Sequence, residues 1–401
     1  MRKIGLLKNT VQNYAWGSVT AIPELLGQKN PSHEPAAELW MGAHAKAPSL
    51  VKCDGKWLSL IELIEKNPRE ILGEEVAKRF ANKLPYLFKV LAAAKPLSIQ
   101  AHPSLDQAIE GFMRENDRRI ALDAPNRNYK DDNHKPECIC ALAPFWALYG
   151  FRNISNILNL MLQGCPLGLA DELDRLKKSP NAGGLKRYFT DLMSMDAIRQ
   201  QQVVDEAVQN ARKLADRNPV FQWMVRIAEE YPTDIGVLSP MLLNLIQLKP
   251  GQALFLPAGE LHAYLEGVGI ELMANSDNVL RGGLTPKHID VPELLKALEF
   301  DSRPVNILEA VAKDRCERVY ASAANEFVLS VISVSHGRSY RKSDLKSVEI
   351  MLCTEGEAHL QSYGSKDIKN IEKGDSVIIP AAVKSYRVTG HAILYKAAVP
   401  L

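Results

Sequence analysis

Apolar residues in the first part of the chain come in short runs, interrupted by proline, glycine and polar clusters. Between residues 85 and 148 the clearest runs are residues 87–94, 97–100 and 137–142. Short apolar runs bounded by turn residues are typical of strands joined by loops. The pattern therefore predicts a mainly β structure for this stretch.

A different pattern occupies residues 154–232. Apolar residues recur there at helical spacing with charged residues between them, as in residues 203–214. Such a period marks amphipathic helices, and the polar and glycine-rich residues 180–184 and the pair Asn218-Pro219 are natural breaks between them. We predict a block of helices inserted into the β structure.

Short-strand patterning returns after Pro240, and two segments match at a constant offset. Residues 249–258 (KPGQALFLPA) and 372–381 (EKGDSVIIPA) place glycine, proline and alanine in register. Each copy predicts a glycine turn, a short buried strand and a proline-terminated corner, which suits the antiparallel barrels called jelly rolls or cupins. The alternative is a chance similarity of two β-hairpins. Counting on, the first copy reaches His262 where the second reaches Ser385, so only the first can offer an imidazole to a metal.

Composition narrows the class of protein. The length of 401 residues predicts two or three domains. The net charge is only +2. Proteins that bind nucleic acid or a membrane surface usually carry a larger excess of basic residues, so neither partner is expected. No apolar run is long enough to predict a membrane span, and Met1-Arg2-Lys3 is not followed by the apolar core of a signal peptide.

The cysteines are scattered and include no CxxC pair, which favours reduced thiols in a cytoplasmic protein. Cys138 and Cys140 are two apart in an apparent strand and so share a face. We expect all six to be structural: Cys53, Cys138, Cys140, Cys165, Cys316 and Cys353.

Candidate metal ligands stand in three strand-like segments. Gln100 and His102 are two apart, so both project to one face of a strand, with Ser98 beside them. Together with Glu137 and His262 they form a nitrogen and oxygen donor set that suits a divalent ion, zinc first. The absence of a thiolate favours a site with a position open to water or substrate. Each part also has an ordinary reading, as a hydrogen-bonded pair, an edge carboxylate or a core histidine.

Longer motifs resemble type I mannose-6-phosphate isomerases. They follow the family's order over about the first three-quarters of the chain, at residues 12–17 (QNYAWG), 37–42 (AELWMG), 96–103 (PLSIQAHP), 128–131 (NYKD), 133–137 (NHKPE), 262–264 (HAY) and 273–287 (MANSDNVLRGGLTPK). This resemblance, with the patterns above, implies a mainly β fold with a helical insert, built of two cupin (jelly-roll) β-barrels plus an α-helical domain. We predict a catalytic cupin domain of residues 1–150 and 240–300, a helical insert of residues 151–239 and a degenerate C-terminal cupin domain of residues 301–401.

The resemblance also implies a site. One zinc ion per chain would be bound by Gln100, His102, Glu137 and His262. The same pocket would be lined by Tyr264, Glu271 and Arg281. The family counterpart of Arg281 is regarded as catalytic.

The implied reaction interconverts mannose 6-phosphate and fructose 6-phosphate through an enediol-type proton transfer, which needs a base and a stabiliser for the developing oxyanion. The residues available as the base are Glu271, Asp277, His134 and Lys135, and the sequence does not decide among them. The residues available for the substrate phosphate are Ser98, Lys135, Arg281 and Lys287.

We expect a small sugar phosphate as the only kind of partner, no nucleic acid or membrane, a monomer or weak homo-oligomer, and a cytoplasmic location. Two other functions share the barrel. One is a non-catalytic sugar-binding cupin, which has no physical need to keep the ligand set together with Arg281. The other is a metal-dependent oxygenase or epimerase, and the glutamine ligand speaks against an oxygenase.

Overall fold

The structure is a computed structural model that describes residues 1–53, 55–164 and 166–401. Cys165, one of the cysteines expected to be structural, lies outside the described residues. The strands that the described residues form are, in chain order, β1 (Gly5–Lys8), β2 (Thr10–Gln12), β3 (Glu38–Gly42), β4 (Leu50–Cys53), β5 (Lys56–Ser59), β6 (Tyr86–Ala93), β7 (Ile99–Ala101), β8 (Glu137–Ala141), β9 (Phe145–Phe151), β10 (Leu243–Leu248), β11 (Gln252–Leu256), β12 (His262–Ala274), β13 (Leu280–Gly283), β14 (Leu308–Glu309), β15 (Val311–Ala312), β16 (Glu317–Tyr320), β17 (Val328–Val334), β18 (Tyr340–Lys342), β19 (Glu349–Ser362), β20 (Ile368–Glu372), β21 (Ser376–Ile379) and β22 (Tyr386–Ala398).

Helices flank these strands and fill one long excursion between β9 and β10. The α-helices of the described residues are α1 (Ala21–Leu25), α2 (Leu60–Lys66), α3 (Pro68–Leu72), α4 (Glu74–Arg79), α5 (Leu105–Asp117), α6 (Ile154–Gly164), α7 (Ala170–Lys178), α8 (Ala182–Met193), α9 (Ala197–Leu214), α10 (Pro219–Glu230), α11 (Ser239–Leu242) and α12 (Val291–Ala297). Among the described residues, no helix has both the length and the apolar character needed to cross a membrane.

The strands form two antiparallel sheets. One runs β14-β11-β8-β12-β6-β3-β2 and continues from β12 through β7, β9, β10 and β13. The other runs β15-β16-β17-β22-β19-β21-β1-β4-β5, with β18 on β22 and β20 on β19. The predicted fold, mainly β with a helical insert and two cupin-type barrels, is confirmed. The domain boundaries stay a prediction, and β1 pairs with β21, so the start of the chain joins the C-terminal sheet.

The internal repeat has a structural counterpart. Its two copies become β11 followed by β12, and β21 followed by β22, and both β12 and β22 are 13 residues long. Each long strand passes through a glycine in the left-handed region at the same register, Gly267 at φ 138° and Gly390 at φ 121°. A Cβ at Gly267 would lie 2.7 Å from the Phe145 backbone, so this corner requires glycine.

The helical block packs against the outer face of the strands that carry the candidate ligands. Ile99 and Ala101 of β7 and Ala263 of β12 belong to the same buried apolar cluster as helical residues such as Val204 and Phe221. Because strand side chains alternate, Gln100, His262 and Tyr264 point to the other face, into the barrel. The insert therefore buttresses the wall from which the site is built.

The two barrels pack against each other through a second apolar cluster. Cys138 and Cys140 lie in it together with Phe88 of the first barrel and Leu352 and Tyr395 of the second. Both thiols are buried, and burial, the largest cause, raises the pKa of Cys140 to about 11. The two cysteines thus share a face, and that face is the interface between the barrels.

One local prediction was incomplete. Residues 85–148 were expected to be mainly β, but they contain α5, a helix of 13 residues. The Ser104 hydroxyl accepts a hydrogen bond from the backbone N–H of Gln107, and the side-chain oxygen of Gln107 accepts one from the backbone N–H of Ser104. The capping box can be recognised in the sequence as Ser104-x-x-Gln107. The helix was not predicted because the segments on both sides have strand-like patterns.

Candidate metal centre

Three of the four candidate ligands converge from separate strands. His102 follows β7, Glu137 opens β8 and His262 opens β12. All three are buried, and one potential ligand atom from each lies within 4.8 Å of the others. His102 Nε2 is 3.1 Å from Glu137 Oε1, and His262 Nε2 is 3.8 Å from Glu137 Oε2. These residues, distant in sequence, form one compact donor cluster.

The tautomers of both imidazoles are set by backbone carbonyls. His102 Nδ1 lies 2.8 Å from the carbonyl oxygen of Asn278, and His262 Nδ1 lies 3.0 Å from that of Glu260. A carbonyl only accepts, so each Nδ1 carries the proton and each Nε2 presents a lone pair toward the cluster. His102 Nε2 is buried without an aligned hydrogen bond, despite its closeness to Glu137. An unsatisfied lone pair of this kind fits a metal ligand.

Burial keeps both histidines neutral. It lowers the pKa of His262 to about 4, with the neighbouring His102 acting in the same direction. Burial and Lys135 likewise lower the pKa of His102. Neutral imidazole is the form that binds a metal ion.

Gln100 lines the same cavity and faces His262 across the strand pair β7–β12. Its side-chain nitrogen donates to the Ser98 hydroxyl at 3.1 Å, which leaves the amide oxygen as an available ligand. On the other side, the Tyr264 hydroxyl donates to Glu137 Oε2 at 3.2 Å. Ser98 and Tyr264 thus orient two of the candidate ligands.

The cavity has a volume of about 60 Å³, room for about two waters at ~30 Å³ each. Its charged walls are the carboxylates of Glu38, Glu137 and Glu271 and the ammonium groups of Lys89 and Lys135. Three carboxyl groups face two ammonium groups, so the walls carry one negative charge in excess when Glu271, whose pKa is raised to about 7, is ionised. A divalent cation would compensate this charge, which is a second feature that fits a metal ion.

Lys135 holds Glu137 in its ionised form. Its Nζ lies 2.8 Å from Glu137 Oε1. Burial alone would raise the pKa of Glu137, but the Lys135 ammonium brings it well below its ordinary value. An ionised carboxylate with two imidazole nitrogens close by is ready to bind a cation without first losing a proton.

Glu271 belongs to a second charged group deeper in the barrel. Lys89 Nζ lies 2.6 Å from Glu271 and 3.5 Å from Glu38. Burial raises the pKa of Glu271 to about 7; Lys89 opposes this shift, whereas Glu137 and Glu38 add to it. A carboxyl group with a pKa near neutrality can exchange a proton under ordinary conditions.

Sequence reasoning missed Lys89 and Glu38. The available signal was a single lysine inside the apolar run Phe88-Lys89-Val90, since a charge in the middle of a buried strand needs a partner. Glu38 lies in the motif at residues 37–42, which by itself predicts no role for this carboxylate. Its carboxylate accepts from the indole nitrogen of Trp40 at 2.5 Å.

Arg281 and Lys287 lie outside the walls of the cavity. Arg281 is the strand neighbour of Gln100, and its side chain is half-buried. Burial lowers the pKa of Arg281. The pKa of Lys287 is lowered by partial burial first, then by Arg281, Lys130 and Lys46. These cations form a positively charged region next to the metal centre.

Asp277 and His134 are engaged elsewhere. Asp277 is 2.8 Å from Lys46 and 3.6 Å from His44; although burial opposes it, these two partners strongly lower the pKa of Asp277. His134 Nε2 lies 2.8 Å from Glu326, a residue close to the start of β17 in the second barrel. Neither side chain lines the cavity that holds Glu271 and Lys135.

Family models match both ends of the chain. The model described as phosphomannose isomerase type I, catalytic domain, matches residues 4–154. The model described as mannose-6-phosphate isomerase, cupin domain, matches residues 318–398. The two matches lie in the parts of the chain that supply strands to the two barrels.

Curated relatives match over nearly the full length. The chain is 42% identical to the mannose-6-phosphate isomerase of Escherichia coli (strain K12), over 97% of each chain. It is 32% identical to mannose-6-phosphate isomerase 1 of Arabidopsis thaliana, over 99% of this chain and 94% of the relative.

Solved structures share the whole fold. A zinc-bound holo form of mannose 6-phosphate isomerase superposes with a TM-score of 0.91 and 40% identity, covering 99% of this chain and 100% of the other. A single-substitution mutant of phosphomannose isomerase from Salmonella typhimurium gives a TM-score of 0.92 at 40% identity, with the same coverage.

Proposed function

The chain belongs to the type I mannose-6-phosphate isomerases, and from this membership we propose that it interconverts D-mannose 6-phosphate and D-fructose 6-phosphate by an enediol-type proton transfer at a zinc site. The observation that carries the proposal is the buried cluster of His102, Glu137 and His262, whose ligand atoms lie within 4.8 Å of one another. Family membership favours an isomerase over the sugar-binding cupin and the oxygenase considered from the sequence.

One zinc ion per chain would be held by Gln100, His102, Glu137 and His262. The fit is supported by the lone pair on His102 Nε2, by the neutral imidazoles and by the excess negative charge of the cavity. A relative solved with zinc bound has the same fold. When bound, the ion would supply Lewis-acid stabilisation of the negative charge that develops on the sugar oxygens.

We assign the proton transfer between C2 and C1 to Glu271. Of the four candidate bases, only Glu271 and Lys135 line the cavity, and the pKa of Glu271 is raised to about 7. Its carboxylate would take the proton from C2 of the aldose and return it to C1 of the enediol, which yields the ketose. Lys89, 2.6 Å away, would keep the carboxylate in place through both steps.

Lys135 would transfer protons to and from the hydroxyl oxygens of the sugar. The same reaction also needs a proton to reach O1 and another to leave O2, so a donor that can take its proton back is required. The ammonium of Lys135 sits in the cavity 2.8 Å from Glu137 and can give a proton to O1 and recover one from O2. Tyr264, which donates to Glu137, would orient that carboxylate and take no proton itself.

The phosphate would bind outside the small cavity, in the positively charged region of Arg281 and Lys287. No hydrogen bond or ion pair occupies the Arg281 guanidinium within the described ranges, so its donors are available for two parallel bonds to phosphate oxygens. Ser98 lies at the cavity wall and can donate a further bond. Arg281, the strand neighbour of Gln100, would also add a fixed positive charge next to the metal centre.

A coupled assay with mannose 6-phosphate, run together with metal analysis of the same sample, tests this proposal. We expect turnover in both directions, about one zinc per chain, loss of activity after chelation and recovery with zinc. Full activity in protein that holds no metal would overturn the zinc assignment. Turnover with an unrelated sugar phosphate but not with mannose 6-phosphate would overturn the substrate.

The cellular setting is part of the same proposal. We propose a cytoplasmic enzyme, monomeric or weakly associating, whose substrate is a small sugar phosphate. The scattered cysteines without a CxxC pair support a reducing compartment. Light scattering at micromolar concentration would measure the oligomeric state directly.

A further inference from the structure

The second barrel contains a polar cavity that the proposed isomerase reaction does not use. Its volume is about 180 Å³, compared with about 60 Å³ for the metal centre, and it has room for about six waters at ~30 Å³ each. Strands β16, β17, β19 and β22 supply its inner walls, and the last residues of the chain border it. No histidine or cysteine is among its described lining residues, so a metal centre is not what this cavity offers.

A buried charged group forms the floor of the cavity. Lys396 Nζ lies 2.6 Å from Glu317 Oε1 and 3.2 Å from Glu349 Oε1, and it donates to the Tyr340 hydroxyl at 3.1 Å. All four residues are buried. One lysine between two glutamates repeats the arrangement of the first barrel, where Lys89 lies between Glu271 and Glu38, although the residues come from different strands.

The floor offers an acceptor for a ligand hydroxyl. Glu317 lines the cavity; its Oε1 is ion-paired with the Lys396 ammonium at 2.6 Å, and a carboxylate oxygen can accept a further hydrogen bond through its second lone pair. Ser330, also buried, is the direct strand neighbour of Lys396 and lines the same cavity. A carboxylate oxygen and a serine hydroxyl side by side are suited to the hydroxyl groups of a polyol, which both donate and accept.

Three further lysines line the cavity. Lys313 and Lys346 are paired with carboxylates at 3.5 and 3.6 Å, but Lys342 is half-buried and its ammonium has no hydrogen bond or ion pair in the part of the chain that the structure describes. Burial, the largest cause, lowers the pKa of Lys342. Glu349 and Glu317 act on this half-buried ammonium only from a distance, so an anionic group that binds beside it would add the direct partner that it lacks.

We propose that the cavity of the second barrel binds a small anionic polyol, with its hydroxyl groups at Glu317 and Ser330 and its anionic group at Lys342. The anion can be a phosphate or a carboxylate, since an ammonium binds either. This site goes beyond the isomerase function. It would give the barrel that lacks the metal ligands, with Ser385 where the first barrel has His262, a binding role of its own.

Calorimetric titration of the zinc-loaded full-length chain with glucitol 6-phosphate tests the proposal. We expect two sites per chain, one in each barrel. Lys342→Met should weaken the second site by about tenfold or more, the order of one charge-assisted hydrogen bond, and leave turnover of mannose 6-phosphate unchanged. Ser330→Ala, a smaller change at the floor, should weaken the same site. The matched control is Lys373→Met, at an exposed position of the same barrel outside the cavity.

Further titrants separate the sources of the anion. If gluconate competes for the site that is sensitive to Lys342→Met, the site accepts a carboxylate. If glucitol 6-phosphate binds there and gluconate does not, the site is specific for a phosphate. Neutral glucitol should bind at least about tenfold more weakly than glucitol 6-phosphate, because it lacks the charge-assisted hydrogen bond to Lys342. A single site per chain that Lys342→Met leaves unchanged, a second site unaffected by both Lys342→Met and Ser330→Ala, or inorganic phosphate bound as tightly as glucitol 6-phosphate would overturn the proposal. None of these outcomes alters the test of the isomerase, which is read from turnover.

Discussion

The carbonyl oxygen of Asn278 lies 2.8 Å from Nδ1 of His102, and the side chain of the same asparagine binds the loop that leads to Glu137. Its Oδ1 accepts from the Lys130 amide at 2.7 Å, and its Nδ2 donates to the carbonyl oxygens of Asp131 and Asn133, both at 2.8 Å. Asn278 is fully buried. One residue therefore orients one candidate ligand directly and another through its loop.

Asn278→Ala keeps the backbone carbonyl that orients His102 but removes the side-chain bonds to the loop, so it should loosen Glu137. We expect zinc affinity to fall by about 10- to 100-fold, the usual effect of losing such an outer partner. The free energy of unfolding should fall by about 1–3 kcal/mol for each buried backbone group left unpaired. Zinc competition with a chromogenic chelator and urea denaturation would measure the two effects. Asn156→Ala, at an exposed position of α6, is the control, and equal zinc affinity in both variants would contradict the role of Asn278.

His262→Ala and Ser385→Ala form a matched pair across the repeat. Both positions follow the shared Pro-Ala at the same offset, but only His262 lies in the donor cluster. We expect His262→Ala to lose most of its bound zinc and its turnover, whereas Ser385→Ala keeps both. Metal content per chain after dialysis, measured by mass spectrometry, decides the outcome. Full zinc occupancy in His262→Ala would remove this residue from the ligand set.

The neutral histidines predict a pH dependence of stability in the metal-free protein. Since the pKa of His262 is lowered to about 4 in the folded chain, the unfolded chain, with a pKa of about 6.5, takes up the proton first as the pH falls. The contribution to stability is therefore complete above about pH 6.5 and is lost toward pH 4. Its size is up to about 3 kcal/mol, at about 1.4 kcal/mol per pH unit.

Urea denaturation at several pH values would measure this loss. We expect His262→Ala to lose less stability than the parent between pH 6.5 and pH 4, because the titrating imidazole is gone. His336→Ala, at an exposed position of the second barrel, should follow the parent curve. Identical pH curves for the parent and for His262→Ala would show that this imidazole does not titrate as the structure indicates.

Glu271→Gln and His134→Gln distinguish two of the candidate bases. A carboxylate base works only when deprotonated, so kcat/KM should rise with pH through the pKa of Glu271, which burial raises and a zinc ion bound at Glu137 would lower. Glu271→Gln should lower kcat by about 10²- to 10⁴-fold and abolish this rise. His134, whose imidazole is paired with Glu326 of the second barrel, should tolerate glutamine with little change in kcat. A full-rate Glu271→Gln enzyme, or an inactive His134→Gln enzyme of normal stability, would reverse the assignment.

The alternation of the strands was readable from the sequence, and so were several consequences of it. Gln100 and its strand neighbour His262 both line the first cavity. This was predictable because alternate residues of a strand point to the same face. The repeat predicted two equivalent hairpins, and the equivalence extends to Gly267 and Gly390. Helical spacing predicted the insert. These features depend on local periodicity and backbone conformation, which each short segment carries by itself.

The partners of buried charged groups were not readable in this way. Lys89 and Glu271 are 182 residues apart, and Tyr340 and Lys396 are 56 apart. Neither segment by itself indicates its partner, because the order and register of the strands decide which buried charged groups come into contact. The helix α5 was missed for a related reason, since a short capping box competed with strand-like runs on both sides.

The sequence by itself determined the class of fold, the donor types of the candidate metal centre and the family to which the chain belongs, because these depend on local patterns and on motifs that lie within single segments. The tertiary structure alone decided which candidate bases line the cavity, which carbonyls orient the imidazoles and how the charges are shared. Those outcomes depend on distances of a few ångströms between residues far apart in the chain, and the strength of an ionic or hydrogen-bonding contact changes steeply over such distances in a buried site.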